Sequence, residues 1–106
     1  ALGKGDIGEH FPDDSNQWND ADSSIFLNHA MKLLEKNNGN IINIDITIIC
    51  EKPKIDIYKI AIKKQISILT KTNMNHINIK ATTTEKLGFL GREEGIACQT
   101  IVLIKK

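Results

Sequence analysis

Aromatic side chains are scarce in this sequence: one Trp, one Tyr and three Phe make up 5% of 106 residues. Arginine occurs once, at Arg92, and 14 basic against 13 acidic residues leave a formal charge of +1. A nucleic-acid binder carries a basic stripe interleaved with stacking rings, so both shortages argue against a nucleic-acid partner. No apolar run approaches the ~18 residues a membrane span needs, and the first residues lack the pattern of a signal or transit peptide. Cysteine occurs only at Cys50 and Cys98. Two distant thiols make neither a secreted disulfide framework nor a metal spacing, and both are read as reduced cysteines in or beside a core. The chain opens on Ala1 rather than Met, which leads us to expect a piece of a longer polypeptide.

Ile, Asn and Lys are abundant instead, a bias of the kind that an AT-rich genome produces. A chain of this length makes one domain and buries roughly two-thirds of the surface its unfolded form exposes. Apolar support from neighbouring subunits is therefore expected. Residues 1–21 hold glycines, a proline and acids without periodicity, and read as loop. "DSSIFLNHAMKLLEKNNGN" predicts a helix capped by Asp22 or Ser23. Phe26, Leu27, Ala30, Met31, Leu33 and Leu34 form its apolar face, and Asn37, Asn38 and Gly39 end it. In "IINIDITIIC" the alternation of Ile42, Ile44, Ile46 and Ile48 with polar residues predicts a strand over 41–50. Pro53, which cannot donate to a sheet ladder, lies just beyond it. Residues 55–71 suit a strand by composition, but Ile55, Tyr58, Ile62, Ile66 and Leu69 fall at helical spacing, and the length favours helix. Strands follow at 76–82 and in "GIACQTIVLIKK". Two right-handed crossovers over one sheet would satisfy this order.

Three stretches carry chemistry. In "GDIGEHFPDD", Gly5 and Gly8 bracket Asp6, so a ligand could approach bare backbone beside a carboxylate; an Asp- and Gly-rich surface turn would read the same. In "KATTTE", three hydroxyls at a strand end could donate to phosphate oxygens, and Glu85 could hold Mg²⁺ together with substrate phosphates. A threonine-capped helix start is the plainer explanation. In "CEKPKI", Lys52 and Lys54 flank Pro53 at another strand end, a rim for a small ligand or simply a proline turn with solvated lysines. His10, His29 and His76 share no metal spacing and are expected to be structural or exposed.

Taken in order, "GDIGEHFPDD", "ADSS", "NIDITIICEKPKI" and above all "NIKATTTEKLGFLGREEGIA" resemble the 2-C-methyl-D-erythritol 2,4-cyclodiphosphate synthase family of the non-mevalonate isoprenoid pathway. The resemblance implies an α+β fold, a sheet of mixed strands with helices packed on one face, and subunits assembled as a homotrimer around a central axis with active sites between neighbours. It implies a phosphorus–oxygen lyase that closes a cytidine diphosphate-linked methylerythritol 2-phosphate into a cyclodiphosphate and releases CMP, using Zn²⁺ and Mg²⁺ or Mn²⁺. Asp6, Ile7 and Gly8 would meet the methylerythritol phosphate end, with Asp6 taking part in catalysis. Phe11, Pro12, Asp13, Asp14 and Ser15 would line the flexible edge of that site. The family usually shows Asp-Thr-Asp after the proline, so only Asp13 transfers firmly.

Cys50, Glu51, Lys52, Pro53, Lys54, Ile55 and Asp56 would form the cytidine pocket, read mainly through backbone groups. Thr82, Thr83 and Thr84 would face the diphosphate, with Thr83 polarising the attacked phosphate and Glu85 holding Mg²⁺. Phe89 and Arg92 resemble central-cavity positions where some members bind an isoprenoid diphosphate. Glu93 stands where glycine is common, a difference expected to matter little on a surface turn. The zinc ligands of the family would precede Ala1, which makes 1–106 a single domain lacking an N-terminal third. The compartment implied is the bacterial cytoplasm or a plastid-type organelle such as an apicoplast or chloroplast. A non-catalytic nucleotide-binding module and a phosphate-binding domain of another family are the alternatives; the joint presence of Asp6, Lys54, Thr83 and Glu85 disfavours the first, and three motif matches in order disfavour the second.

Overall fold

The computed structural model describes residues 1–12 and 22–106. Among them the short helix α1 spans Ile7–His10, α2 Ser23–Lys36, β1 Asn40–Ile49, α3 Lys59–Thr70, β2 Ile77–Thr82, α4 Gly88–Gly91 and β3 Ala97–Lys105. Of the two candidate caps, Asp22 starts α2: its carboxylate accepts from Ser24 N–H at 2.9 Å, a contact worth about 1 kcal/mol. The helix ends as its asparagines and glycine predict. Asn38 turns left-handed at φ 56° and Gly39 N–H reaches back to the Leu34 carbonyl at 2.9 Å. Residues 55–58 form one 3₁₀ turn that leads into α3.

The sheet order is β2-β1-β3. β1 runs parallel to β2 and antiparallel to β3. One crossover through α3 is thus present where two were expected. The reason lies in the segment between β2 and β3. Residues 83–96 are long enough for a parallel crossover, but such a crossover is usually built on a helix, and the helix of this segment, α4, has only four residues. The chain therefore turns over the end of β1 and comes back antiparallel, Ile49 opposite Ala97.

The core lies on one face of this sheet. Ile44, Ile46, Ile77 and Ile79 are buried, with Ile41, Ile48, Ile62 and Ile66 packed against them, and each fully buried Ile contributes roughly 2 kcal/mol. Ile41 stands here in place of the expected Ile42. A register shift between Ile41 and Asn43 inserts an extra residue, and such a bulge reverses the faces beyond it. The other face carries an ion pair between Lys80 and Asp45 at 2.7 Å, and Asn78 donates to the same carboxylate at 2.9 Å. Those hydrogen bonds, Lys80 first and Asn78 second, hold Asp45 below the ordinary carboxyl range. Ile101 and Leu103 share this open face and are 66% and 54% exposed in the single chain. Cys50 is buried as expected, whereas Cys98 is exposed.

Candidate active site

The two parallel strands end side by side, Ile49 opposite Thr82, and the Cys50 N–H continues the ladder to the Thr82 carbonyl at 3.1 Å. Open α/β sheets bind ligands outside the carboxyl ends of their strands. Two of the three chemistry-bearing stretches lie at this place. The turn after β1 is anchored by its ends: Cys50 and Ile55 are buried, and the Cys50 thiol donates to the Pro53 carbonyl at 3.5 Å. Between them Lys52, Pro53 and Lys54 are exposed. Lys52 approaches Glu93 at 3.7 Å, and Asp56 pairs with Lys59 at 2.9 Å. The Lys54 ammonium makes no ion pair among the described residues.

The turn after β2 distinguishes its three threonines by their protons. A hydroxyl has one proton to donate and two lone pairs to accept with. Thr82 donates to the Thr83 carbonyl at 3.2 Å and Thr84 to the Leu87 carbonyl at 2.8 Å. Thr83 instead accepts from Glu85 N–H at 3.2 Å, and its own proton has no acceptor among the described residues. Glu85 and Lys86 follow in the left-handed region, φ 56° and 64°, a conformation that costs a residue with a Cβ roughly 1 kcal/mol or more. Two contacts from elsewhere in the chain surround the Lys86 backbone. Its N–H donates to the Glu51 carboxylate at 2.9 Å, and Gly91 packs so closely that a Cβ there would overlap the Lys86 backbone.

Asp6, Ile7 and Gly8 lie elsewhere. Asp6 caps α1, accepting from Glu9 N–H at 3.0 Å, and a Cβ at Gly5 would collide with the Glu9 carboxylate. Gly5 also turns left-handed at φ 83°, which glycine adopts without a Cβ penalty, so glycine and acid both have local roles here. Phe11, expected along the edge of a site, is buried and meets Phe26 and His29 edge-on, centroids 4.8 and 4.9 Å apart. An apolar ring next to an amphipathic helix is driven into it, so Phe11 is the anchor of the N-terminal segment. Pro12 is exposed; Asp13, Asp14 and Ser15 lie outside the described residues. His10 donates from Nε2 to the Lys4 carbonyl at 2.7 Å, since a carbonyl can only accept. In that tautomer its Nδ1 accepts from His29 Nε2–H at 3.1 Å, so both histidines take part in local hydrogen bonds. Asp6 also lines a cavity bounded by Ile41, Val102 and Ile104. Those residues sit toward the start of β1, and Ile41 is about 30 Å along the strand from Cys50 at the usual rise. The structure does not join the Asp6 group to the threonine turn within one chain.

Among the described residues no three of His, Cys, Asp and Glu stand together as a metal site, so they do not fit a zinc ion. Glu85 is exposed, and its carboxylate has no partner among the described residues. One free carboxylate beside exposed hydroxyls has the donor chemistry of Mg²⁺, which takes one or two carboxylates plus substrate phosphates. Phe89 is 58% exposed, and Arg92 is paired with Glu94 at 2.8 Å. Glu93 ends α4 at φ 64°, with Glu94 N–H bonded back to the Phe89 carbonyl at 3.0 Å. That is the position after a helix where glycine is favoured, so Glu93 bears a backbone cost, and the difference from glycine matters more than expected of a surface turn. Sequence reasoning also missed how Glu51 and Gly91 act on Lys86. Glu51 lies 35 residues from its partner, and no local pattern links them.

The family model described as "YgbB family" matches residues 1–105. The bifunctional enzyme IspD/IspF of Wolbachia pipientis wMel is 52% identical over 98% of this chain and 26% of its own length. The 2-C-methyl-D-erythritol 2,4-cyclodiphosphate synthase of Geobacillus thermodenitrificans is 48% identical over the whole chain and 66% of its own length. Among solved structures, the CDP complex of IspF from Plasmodium falciparum superposes with a TM-score of 0.83 at 36% identity, over 98% of this chain and 61% of that one. This chain thus spans about a quarter of the bifunctional relative and two-thirds of the shorter one. With all but its last residue matched, and with helices packed on one face of a mixed sheet, the chain belongs to the YgbB family, that of the 2-C-methyl-D-erythritol 2,4-cyclodiphosphate synthases.

Proposed function

We propose that this chain is the larger part of a cyclodiphosphate synthase subunit. Its substrate would be 4-diphosphocytidyl-2-C-methyl-D-erythritol 2-phosphate, converted to 2-C-methyl-D-erythritol 2,4-cyclodiphosphate with release of CMP. An oxygen of the 2-phosphate forms a bond to the β-phosphorus, the bond from that phosphorus to the oxygen bridging it to the α-phosphate breaks, and CMP leaves with the electron pair. The reaction is intramolecular, so holding the chain of phosphates in place supplies most of the catalysis. The observation that carries the reading is the meeting of the 50–56 turn and the Thr82–Lys86 turn at the carboxyl ends of β1 and β2. CDP in the Plasmodium falciparum relative supports a cytidine nucleotide there.

Thr83 would donate its free proton to the attacked phosphate, and Lys54 would place an unpaired charge beside it. Glu85 would hold Mg²⁺ or Mn²⁺, which when bound neutralises charge on the diphosphate. Asp6 would receive the methylerythritol end from a second subunit. Its separation from the threonine turn within one chain favours a site shared between copies, and the exposed Ile101 and Leu103 favour a homotrimer packed through its open sheet faces. The described residues do not form a Zn²⁺ site, and its ligands would come from sequence outside 1–106. Phe89 and Arg92 would face the trimer axis, where an isoprenoid diphosphate could bind. The relatives favour a bacterial cytoplasm over a plastid-type organelle, and no helix among the described residues is long and apolar enough to cross a membrane.

The test is a calorimetric titration of the full-length protein with CDP, and with UDP as control, followed by an assay of CMP release with Glu85→Gln. Binding of CDP in preference to UDP is expected, together with loss of Mg²⁺-dependent turnover in the folded variant. Equal binding of both nucleotides would remove the cytidine assignment of the 50–56 turn. Unchanged CMP release would remove Glu85 from the mechanism.

A further inference from the structure

Glu51 belongs to the turn assigned to the cytidine, yet its side chain leaves that turn. One carboxylate oxygen accepts from the backbone N–H of Lys86 at 2.9 Å, and no basic side chain pairs with it among the described residues. The acceptor is charged, so this hydrogen bond is of the stronger kind. It acts on a strained stretch. Glu85 and Lys86 are two successive non-glycine residues in the left-handed region, and such backbone persists only where its surroundings over-determine it. Several interactions do so here. Thr83 Oγ1 accepts from Glu85 N–H, Leu87 N–H returns to the Thr84 carbonyl at 3.0 Å, Gly91 closes on the Lys86 backbone from one side, and Glu51 holds its N–H. Only the Glu51 hydrogen bond comes from the turn after β1.

We propose that Glu51 is a positioning residue: by holding Lys86 N–H it keeps the Glu85–Lys86 turn left-handed, and so fixes the Glu85 carboxylate where a divalent cation on the substrate diphosphate would meet it. This rests on the function proposed above for Glu85. It further means that one residue ties the nucleoside turn to the cation carboxylate, so that distortion of the first is felt at the second. The role is one of hydrogen-bond acceptance and not of charge. Gln, whose amide oxygen also accepts from an N–H, though less strongly than a carboxylate, is therefore expected to replace Glu51 in large part, and Ala is not.

The experiment compares Glu51→Ala and Glu51→Gln in the full-length protein by two readouts. Amide hydrogen exchange at Lys86 reads the hydrogen bond itself and needs no turnover. Protection is expected in the parent and in Glu51→Gln, with faster exchange in Glu51→Ala while β1 amides stay protected. The Mg²⁺ concentration for half-maximal CMP release reads the consequence. Loss of one hydrogen bond to a charged acceptor predicts an increase of about tenfold in Glu51→Ala, and a value within about threefold of the parent in Glu51→Gln. An unchanged Mg²⁺ requirement in Glu51→Ala overturns the proposal, as does a Gln variant as impaired as the Ala variant. If the parent itself released no CMP, the functional reading would fall and the cation role of Glu51 with it; Lys86 protection would then report a hydrogen bond that only shapes the turn.

Discussion

The N-terminal segment around Phe11 and the turns at the carboxyl ends of β1 and β2 both carry residues of the proposed chemistry, but they are held by different forces. Phe11 is set into α2 against Phe26 and His29, so that segment is fixed by an apolar anchor and a pair of hydrogen-bonded histidines. The strand-end turns have few buried side chains and are fixed by directed polar contacts between loops: Cys50 to Thr82, Glu51 to Lys86, Lys52 to Glu93. An apolar anchor tolerates rotation but not loss of volume. A polar lattice depends on the direction of each donor and acceptor, so removal of one member shifts the groups it holds. The first therefore suits a segment that need only stay attached, and the second suits one that must present a hydroxyl and a carboxylate at fixed angles.

Phe11→Ala should break the contrast most severely. Removing a buried aromatic costs about 3 kcal/mol, and amides of residues 1–12 should lose exchange protection while Lys86 keeps its own. Joint loss at both places would show that the two regions are one cooperative unit. Gly91→Ala attacks the other side. Its Cβ would overlap main-chain atoms of Lys86, which cannot swing away as a side chain could, and such overpacking costs about 2 kcal/mol. Urea unfolding should show that loss, with Lys86 exchanging faster and the Phe11 segment unaffected.

Smaller effects sharpen the comparison. Glu93→Gly should raise stability by about 1 kcal/mol, because glycine adopts the left-handed region without the Cβ penalty. The substitution also removes the ion pair with Lys52, but an exposed pair of this kind is of little weight. A fall in urea midpoint would show otherwise. The smallest effect belongs to Asp45, outside both regions. Its folded carboxyl titrates below the ordinary 3.8, so its contribution is fully present above that value and disappears as pH falls through the lower folded one. The difference in melting temperature between the parent and Asp45→Asn should accordingly be present at neutral pH and vanish in acid. A constant difference would exclude the Lys80 and Asn78 hydrogen bonds as its source.

Much of this was legible in the residues. The α2 helix, with its Asp22 start and Asn38–Gly39 finish, follows from capping and periodicity, both of which act within a few residues. The choice of helix over strand for 55–71 holds for 59–70, where Ile62 and Ile66 meet the sheet. The ordered motifs named the family because their spacing reflects a shared set of turns. Other readings failed where the deciding contact was distant. The bulge that exchanged Ile42 for Ile41 depends on pairing with β3 some sixty residues on, as the register shows. The antiparallel return of β3 depends on how little helix lies between Thr82 and Ala97.

By itself, then, the sequence determined where α2, β1, α3, β2 and β3 lie and, beyond the bulge, which isoleucines of β1 face the core. These are properties of backbone preference and side-chain chemistry that a residue carries with it. Only the tertiary structure decided which threonine keeps a free proton, that Phe11 is an anchor, that Glu93 bears a left-handed turn, and that Glu51 reaches Lys86. Each of these depends on which donor and acceptor the folded chain brings within about 3 Å, the range over which a hydrogen bond acts.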